Sequence, residues 1–453
     1  MDYFNHLSYD WLSNAKIKIK GTYLNYFRNK KILIYGLGKS GLSAFKFLKN
    51  KNDIFLYDDN YCSIKNKNIK KKLINYKNIF RQKFDKIILS PGIDINKCKL
   101  SNYLKNNYTK IFSDLDVFFA YYKNDCITIT GTNGKSTTCQ ILFNVLSNQK
   151  LDVRLVGNIG NPILSEKNIK KKTIFVVEAS SYQLEYSKIF QSKYAVLLNI
   201  APDHLERHKT LQKYVKAKFK LLKSQSKKHF AFVKKDDFLI KKELKSKKYL
   251  SKIIKVDTKN VTNFLKNLDN KYFLSETNQE NLSFVLEITK KFKFNKTTLI
   301  KTIKNFNGLK YRQQIILKRK FLTIINDSKS TSFSSSIGIL KSNDNIYWLL
   351  GGIHKKGDKL NLPKKFFNNI KAFIYGKNKK FFNKKLNGKI RYKNFDNLEN
   401  AIKKIFYIIN KKRFIKRTIL FSPCAASFDS FKNFEDRGIY FNKLIDKHLN
   451  AKQ

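Results

Sequence analysis

Gly131-Thr132-Asn133-Gly134-Lys135-Ser136-Thr137 sets two glycines, a lysine and hydroxyls between an apolar run and a helix-forming run. That combination suits a nucleoside triphosphate. Backbone N–H groups at a helix start can cradle phosphate oxygens. Lys135 can reach the β- and γ-phosphates, and the Ser136 hydroxyl can ligate Mg²⁺. Two residues separate the first glycine from the Gly134-Lys135 pair, where the usual phosphate loop has about four. The loop is a short variant of that motif. A chance glycine turn would not require a strand before it and Gly-Lys-Ser opening a helix after it.

Other constellations follow apolar runs in the same way. Gly36-Leu37-Gly38-Lys39-Ser40-Gly41, with Asp58 downstream, has the spacing of a dinucleotide fingerprint. It admits three readings: an NAD site, a site for another nucleotide phosphate with Asp58 near a ribose or base, or a tight turn packing strand on helix. Glu178, ahead of Ala179-Ser180-Ser181-Tyr182-Gln183, stands where an acid can hold Mg²⁺ or cap a helix. The dense polar stretch from Asn199 to His208 marks a site loop, in which His204 draws weight from its neighbours and His208 is expected at the surface. Lys218 is one lysine among several on a predicted helix, which reads as a solvated face. Asn326-Asp327-Ser328-Lys329-Ser330-Thr331 and Ser422-Pro423-Cys424-Ala425-Ala426-Ser427-Phe428-Asp429 expose hydroxyls and amides suited either to a small anion or to helix capping, and Lys329 could meet a carboxylate.

Strands must carry these turns. Short apolar runs predict them at Lys31 to Tyr35, Asp53 to Tyr57 and Lys86 to Leu89, in a block closing around Tyr122. A second block predicts strands at Cys126 to Thr130, Thr173 to Val177 and Ala195 to Leu198, and a third at Phe321 to Ile325, Ile346 to Leu350, Ala372 to Tyr375 and Thr418 to Phe421. Helices are predicted from Leu42 to Leu48, from the phosphate loop to about Leu146, and from Asn278 to Lys291. Strand, glycine turn and helix in recurrence predict an α/β protein with parallel sheets, whose ligands sit at strand carboxyl ends. The lysine-rich stretch from Ser224 to Lys266 carries no legible motif. The division expected is 1–123 (with 1–30 as an extension), 124–308 and 309–453.

Composition bounds the rest. The 453 residues carry a net charge of +60, and ten of the 93 basic residues are Arg, leaving 83 Lys. The lysines spread along the whole chain among Asn, Ile, Phe and Tyr, the diet an AT-rich genome encodes, rather than clustering with Arg as in a nucleic-acid groove. No nucleic-acid partner is expected. Cys62, Cys98, Cys126, Cys139 and Cys424 are widely spaced without a CxxC pair, which predicts free thiols. No apolar run of about 18 residues predicts a membrane span. The first 20 residues lack a signal peptide's apolar stretch, so a cytoplasmic protein is expected.

Together the motifs resemble the Mur ligases, which add amino acids to the peptidoglycan precursor. The resemblance runs from about residue 30 to 445. Gly131 to Thr137 is similar to the family's ATP loop. Gly157-Asn158-Ile159-Gly160, Glu178-Ala179-Ser180-Ser181-Tyr182-Gln183-Leu184-Glu185 and Asn199 to His208 follow in the family's order. Gly36 to Ser43, Ser90-Pro91-Gly92-Ile93, Asn326 to Lys329 and Ser422 to Gly438 resemble the branch that adds D-glutamate.

The resemblance implies three Rossmann-like or P-loop-type α/β domains, ATP and Mg²⁺ as cofactors, and a monomer. It implies addition of D-glutamate to UDP-N-acetylmuramoyl-L-alanine through an acyl phosphate. It turns the first glycine motif from NAD toward uridine diphosphate, with Lys39, Ser40, Gly41, Asp58 and Gly92 as contacts and Asn158 and His204 nearer the substrate's phosphate and metal. Ser136, Glu178, His204 and a carbamylated Lys218 would ligate Mg²⁺, and Lys216 and Lys220 should point away from that lysine. Lys135, His204 and Lys218 would be catalytic. Asn278 and Asn281 would lie near adenine and Arg312 at the ATP phosphates. Lys329, Thr331, Ser427, Phe428 and Phe434 would form the D-glutamate pocket. The chain departs from the family at Tyr311 and Thr277, where histidine is frequent, and in Gly351 to Asp358, where an acid is missing after the glycines and Lys355 could stand in. A sister ligase or a folylpolyglutamate synthase would share the ATP loop, and a basic nucleic-acid-binding protein would share only the charge.

Overall fold

The computed structural model describes residues 25–60, 66–259, 261–266, 268, 270–354, 358–411 and 414–450. Cys62, Lys355 and most of the N-terminal extension lie outside the described residues. The chain forms two compact units, the first made of Met1–Asn124, Asn161–Lys171 and Ser181–Gln191, the second of the remainder.

Unit 1 holds a parallel sheet in the order β2-β1-β3-β4, with β1 Lys31–Tyr35, β2 Asp53–Tyr57, β3 Lys86–Leu89 and β4 Ile111–Phe112. Its strands are apolar almost throughout because helices can cover both faces of a parallel sheet. The helix predicted from Leu42 begins earlier, at Lys39, with Gly38 as its cap.

Unit 2 holds two sheets. One is parallel, in the order β10-β9-β8-β5-β7-β6, with β5 Cys126–Thr130, β6 Val153–Gly157, β7 Ile174–Glu178, β8 Tyr194–Leu197, β9 Phe230–Lys234 and β10 Lys252–Val256. Every residue of β5 is buried. The helices Lys135–Asn148 and Glu276–Thr289 pack into its core through Ile141, Leu142, Val145, Leu282, Val285 and Ile288. The lysine-rich stretch resolves into β9, a helix at Phe238–Ser246, and β10 at the sheet edge. Its signal was weak because β10, Lys-Ile-Ile-Lys-Val, buries only its last residue.

The other sheet runs β11-β12-β16-β13-β14-β15, with β11 Gln314–Lys318, β12 Leu322–Asn326, β13 Ile346–Leu350, β14 Ile370–Tyr375, β15 Arg391–Phe395 and β16 Arg417–Phe421. Only β11 is antiparallel to its neighbour. β11 and β15 had no clear sequence signal, since both are edge strands without a fully buried residue. In all three sheets the predicted motifs follow the carboxyl ends of strands, where open α/β sheets bind ligands.

Candidate functional site

In unit 1, β1 feeds a turn that only glycine fits. Gly36 has φ +91, and a Cβ on Gly41 would lie 1.9 Å from the Gly36 carbonyl oxygen. The helix can therefore start directly beneath the strand end. Ser90 Oγ donates to Gly36 O at 2.6 Å, tying the turn to the end of β3. Asp58 accepts from the Leu37 and Asn60 amides at 2.7 and 2.9 Å, so its carboxylate shapes the turn as well as standing at its mouth. Lys39 and Gly92 are exposed, and Ser40 is half-buried. Ser40 and Gln183 both hydrogen-bond the buried Asp114, whose carboxyl is pushed up by burial. Sequence reasoning did not find Asp114.

In unit 2, the phosphate loop crosses the carboxyl ends of β5, β7 and β8. Gly131 and Gly134 have φ +154 and +84, and a Cβ on Gly134 would meet Asn281 Oδ1 at 2.1 Å. Asn199 accepts from the Asn133 amide at 2.9 Å and holds the loop from the β8 side. Ser136 Oγ donates to Glu178 Oε2 at 2.6 Å, and Asn158 Nδ2 to Glu178 Oε1 at 3.2 Å. Gly157 permits this approach, since a Cβ there would lie 2.4 Å from Glu178 O. Ser136 and Glu178 thus place two hard oxygens side by side, a donor set that suits Mg²⁺ completed by phosphate and water. Among the described residues no group of three or more His, Cys, Asp and Glu is gathered for a metal.

Two lysines converge on one carbonyl. Lys135 Nζ donates to Gly131 O at 2.9 Å and to Thr132 O at 2.8 Å, while Lys218 Nζ donates to the same Gly131 O at 2.8 Å. Burial lowers the Lys135 pKa, with Glu178 opposing. Burial, and then the Lys135 charge, drives that of Lys218 far below the usual lysine range. A neutral amine at Lys218 relieves the repulsion, and a neutral amine is the form that can become a carbamate.

The expected solvated face for Lys218 is corrected: the residue is 1% exposed. On the helix Leu211–Lys223, Lys213, Lys216 and Lys223 are exposed and Lys220 is intermediate, whereas Lys218 falls among Tyr214, Val215, Leu221 and Leu222. The 3.6-residue period places it on the apolar stripe, a signal the sequence does hold. His208 is likewise not at the surface; it is buried, its ring 5.3 Å from that of Tyr214. Tyr214, unmarked in the sequence reading, is the shared neighbour. Its hydroxyl is 3.1 Å from Thr132 Oγ1, and its ring lies 4.6 Å from Lys218 Nζ and 6.4 Å from the His204 ring. His204 has φ 54, with Nε2 3.4 Å from Asp203 and Nδ1 3.6 Å from Glu206.

Asn278 and Asn281, expected near adenine, are buried on the helix Glu276–Thr289. Asn278 Nδ2 donates to Tyr272 O at 2.8 Å, whereas Asn281 Oδ1 is buried without a hydrogen-bond partner beside the loop.

At the third sheet, the loops after β12 and β16 are neighbours. Ser422 Oγ donates to Asp327 Oδ2 at 2.8 Å. Burial raises the Asp327 pKa to about 7. Lys329 Nζ lies 4.0 Å from the Phe434 ring centroid and the Arg312 guanidinium 5.8 Å from it. Burial, then the Arg312 charge, lowers Lys329 to about 8. Arg437, part of the Ser422 to Gly438 stretch but given no role of its own there, is buried and donates to Ser328 O at 2.6 Å and Ala425 O at 3.0 Å, joining the two loops. Thr331 is half-buried and Ser427 buried, and Phe428 presents a ring that is 72% exposed. Tyr311 puts its ring on Gly438, where a Cβ would lie 2.4 Å from it. Cys98, Cys126, Cys139 and Cys424 are free thiols.

The family model "Mur ligase middle domain" matches residues 129–305, and "Mur ligase MurD-like, N-terminal domain" matches 30–111. The chain is 34% identical over 450 residues to the UDP-N-acetylmuramoylalanine–D-glutamate ligase of Rickettsia felis, covering 94% of this chain and 99% of the relative. It is 32% identical over 433 residues to that of Francisella tularensis subsp. tularensis, covering 93% and 97%. Among solved structures, a MurF ligase from Thermotoga maritima in complex with ADP superposes with a TM-score of 0.56 at 14% identity, over 94% of this chain and 96% of that one. That likeness carries the fold.

Proposed function

Since this chain belongs to the Mur ligase family, and within it to the UDP-N-acetylmuramoylalanine–D-glutamate ligases, we propose that it joins D-glutamate to UDP-N-acetylmuramoyl-L-alanine with ATP, in peptidoglycan precursor synthesis. The observation that carries the reading is the pairing, on one phosphate loop, of the Ser136–Glu178 oxygens with two lysines sharing Gly131 O.

The reaction has a charge problem. An L-alanyl carboxylate must attack the γ-phosphorus of a polyanion. A C–O–P bond forms, the bond to the β–γ bridging oxygen breaks, and ADP leaves. Mg²⁺, held by Ser136 and Glu178 and by His204 with carbamylated Lys218, would supply the positive charge that screens this approach. Lys135, bound to loop carbonyls in this structure, swings its ammonium onto the β- and γ-phosphates. Gly131, Thr132, Asn133, Gly134 and Thr137 complete the phosphate cradle. Asn278 and Asn281 face the adenine, and Arg312 reaches the phosphates from the linker.

The amine of D-glutamate then attacks the acyl carbon. The C–N bond forms, the C–O bond to phosphate breaks, and the ammonium proton is released. Lys329, Thr331, Ser427, Phe428 and Phe434 position the amino acid, which converts an encounter into a near-unimolecular step. In unit 1, Lys39, Ser40, Gly41, Asp58 and Gly92 contact uridine diphosphate; in unit 2, Asn158 and His204 serve the substrate's phosphate and metal. We place the domain limits at 123/124 and 308/309, and assign a monomeric cytoplasmic enzyme without a nucleic-acid partner; no described helix is long and apolar enough to cross a membrane.

Phosphate release with UDP-N-acetylmuramoyl-L-alanine, ATP and one amino acid at a time tests the assignment. Release should require D-glutamate. Release with L-lysine or meso-diaminopimelate and none with D-glutamate would overturn it.

The depressed Lys329 gives a pH signature. Its ammonium is present below a pKa of about 8 and is lost above it. The KM for D-glutamate should therefore climb with pH above that value, by up to about tenfold per unit. Lys329→Arg, whose guanidinium keeps its charge, should flatten the climb. An equally steep rise in that variant would remove Lys329 from carboxylate binding.

A further inference from the structure

The linker between the second and third sheets holds two non-glycine residues with left-handed backbone, Tyr311 at φ 62 and Gln313 at φ 51. Such residues are uncommon and persist where their surroundings over-determine them. The surroundings here are specific. The Lys329 amide donates to Tyr311 O at 3.0 Å, and the Tyr311 amide to Gln314 Oε1 at 3.0 Å. The Gln313 amide donates to Asp327 Oδ1 at 3.1 Å. The Gln313 side chain turns the other way, its Oε1 accepting from Asn278 Nδ2 at 3.2 Å and from Ser275 Oγ at 3.4 Å.

Gln313 therefore has one hand on each site. A side-chain amide nitrogen has two protons and its oxygen none. Asn278 gives one proton to Tyr272 O and the other to Gln313 Oε1. That pairing settles which end of the Asn278 amide is nitrogen and leaves Oδ1 as the acceptor for a ligand's N–H. The backbone of the same glutamine holds Asp327, whose second oxygen holds Ser422. One residue thus spans from the nucleotide helix to both loops of the amino-acid site.

We propose that Gln313 is a positioning residue that orients the Asn278 amide for the nucleotide and couples nucleotide binding to the D-glutamate loops. The inference rests on the placement of adenine at Asn278 described above. In the full chain, Gln313→Met keeps the length and removes the oxygen acceptor, while Gln313→Glu keeps an acceptor. ADP affinity by calorimetry should weaken about three- to tenfold in Gln313→Met, the range of one lost hydrogen bond. KM for ATP should rise in parallel, kcat at saturation should stay within about twofold, and Gln313→Glu should bind ADP near the wild-type value. The change in D-glutamate affinity that ADP produces in the wild type should shrink in Gln313→Met, and the change in ADP affinity that D-glutamate produces should shrink equally, because linkage is reciprocal. Wild-type ADP affinity in Gln313→Met, alongside weakened affinity in Asn278→Ala, would overturn the role of Gln313 and leave the reaction assignment standing. Wild-type affinity in both variants would show that the nucleotide does not meet this helix, and the proposal falls with that placement. A Gln313→Glu as weak as Gln313→Met would refute the acceptor role.

Discussion

Replacing Lys135 with alanine is expected to cut ATP-dependent phosphate release by on the order of 10²- to 10³-fold, the cost of removing one pre-positioned charge from a developing polyanionic transition state. The loss should fall on kcat with little change in the KM for D-glutamate, because the D-glutamate contacts are assigned to the third sheet. The geometry supports this distribution. Lys135 is held by Gly131 O and Thr132 O just after β5, and the next residue, Ser136, bonds Glu178. Methionine at this position keeps much of the aliphatic stem without the charge, so Lys135→Met should be as inactive as the alanine variant. Steady-state phosphate release with matched circular dichroism decides the matter. A Lys135→Met enzyme within tenfold of wild type would remove the ammonium from the chemistry. Salt-sensitive DNA or RNA binding that survived Lys135→Ala, without ligation in either protein, would instead point to the basic-protein reading.

Lys218→Ala is expected to lose about 10²-fold or more in kcat, and Lys218→Arg should lose as much. A guanidinium stays protonated, and carbamate formation needs a neutral amine. The lysine sits 1% exposed with its pKa driven well down by burial and by Lys135. The neutral fraction of such an amine grows as pH rises, so at limiting CO₂ activity should rise with pH. Excess bicarbonate should restore part of the activity of the wild-type enzyme degassed of CO₂, and none of that of Lys218→Ala. Mass spectrometry under native conditions, or carbon-13 resonance of labelled bicarbonate, reads the modification directly. An unmodified Lys218 in a fully active enzyme would refute it. The structural alternative, in which Lys218 merely braces Gly131, predicts instead that activity is indifferent to CO₂.

The sequence already disclosed much of this arrangement. β1, β2, β3, β5 and β13 lie where apolar runs placed them, and β7, β8, β12, β14 and β16 shift by one or two residues. Central parallel strands are buried on both faces, so their composition announces them. Edge strands such as β10 and β15 carry lysines and asparagine to water, and their signal fades into the surrounding charge. By residue type alone Lys218 is hidden by company, and only the family resemblance singles it out: five lysines in the helix segment Leu211–Lys223 resemble a wet face until the helical period separates one of them.

The phosphate loop, Glu178 and the glycine turn were legible from residue types and spacing alone, because chain geometry makes a strand-loop-helix sequence present its amides and lysine in one way. Which groups meet across the chain was a different matter. That Lys218 reaches Gly131 O from 87 residues away, that Tyr214 stands between His204, His208 and Lys218, and that Gln313 touches both Asn278 and Asp327 follow from sheet order and helix packing. Such contacts depend on burial and on which elements are neighbours in space, and those are properties of the folded chain as a whole that no local spacing encodes.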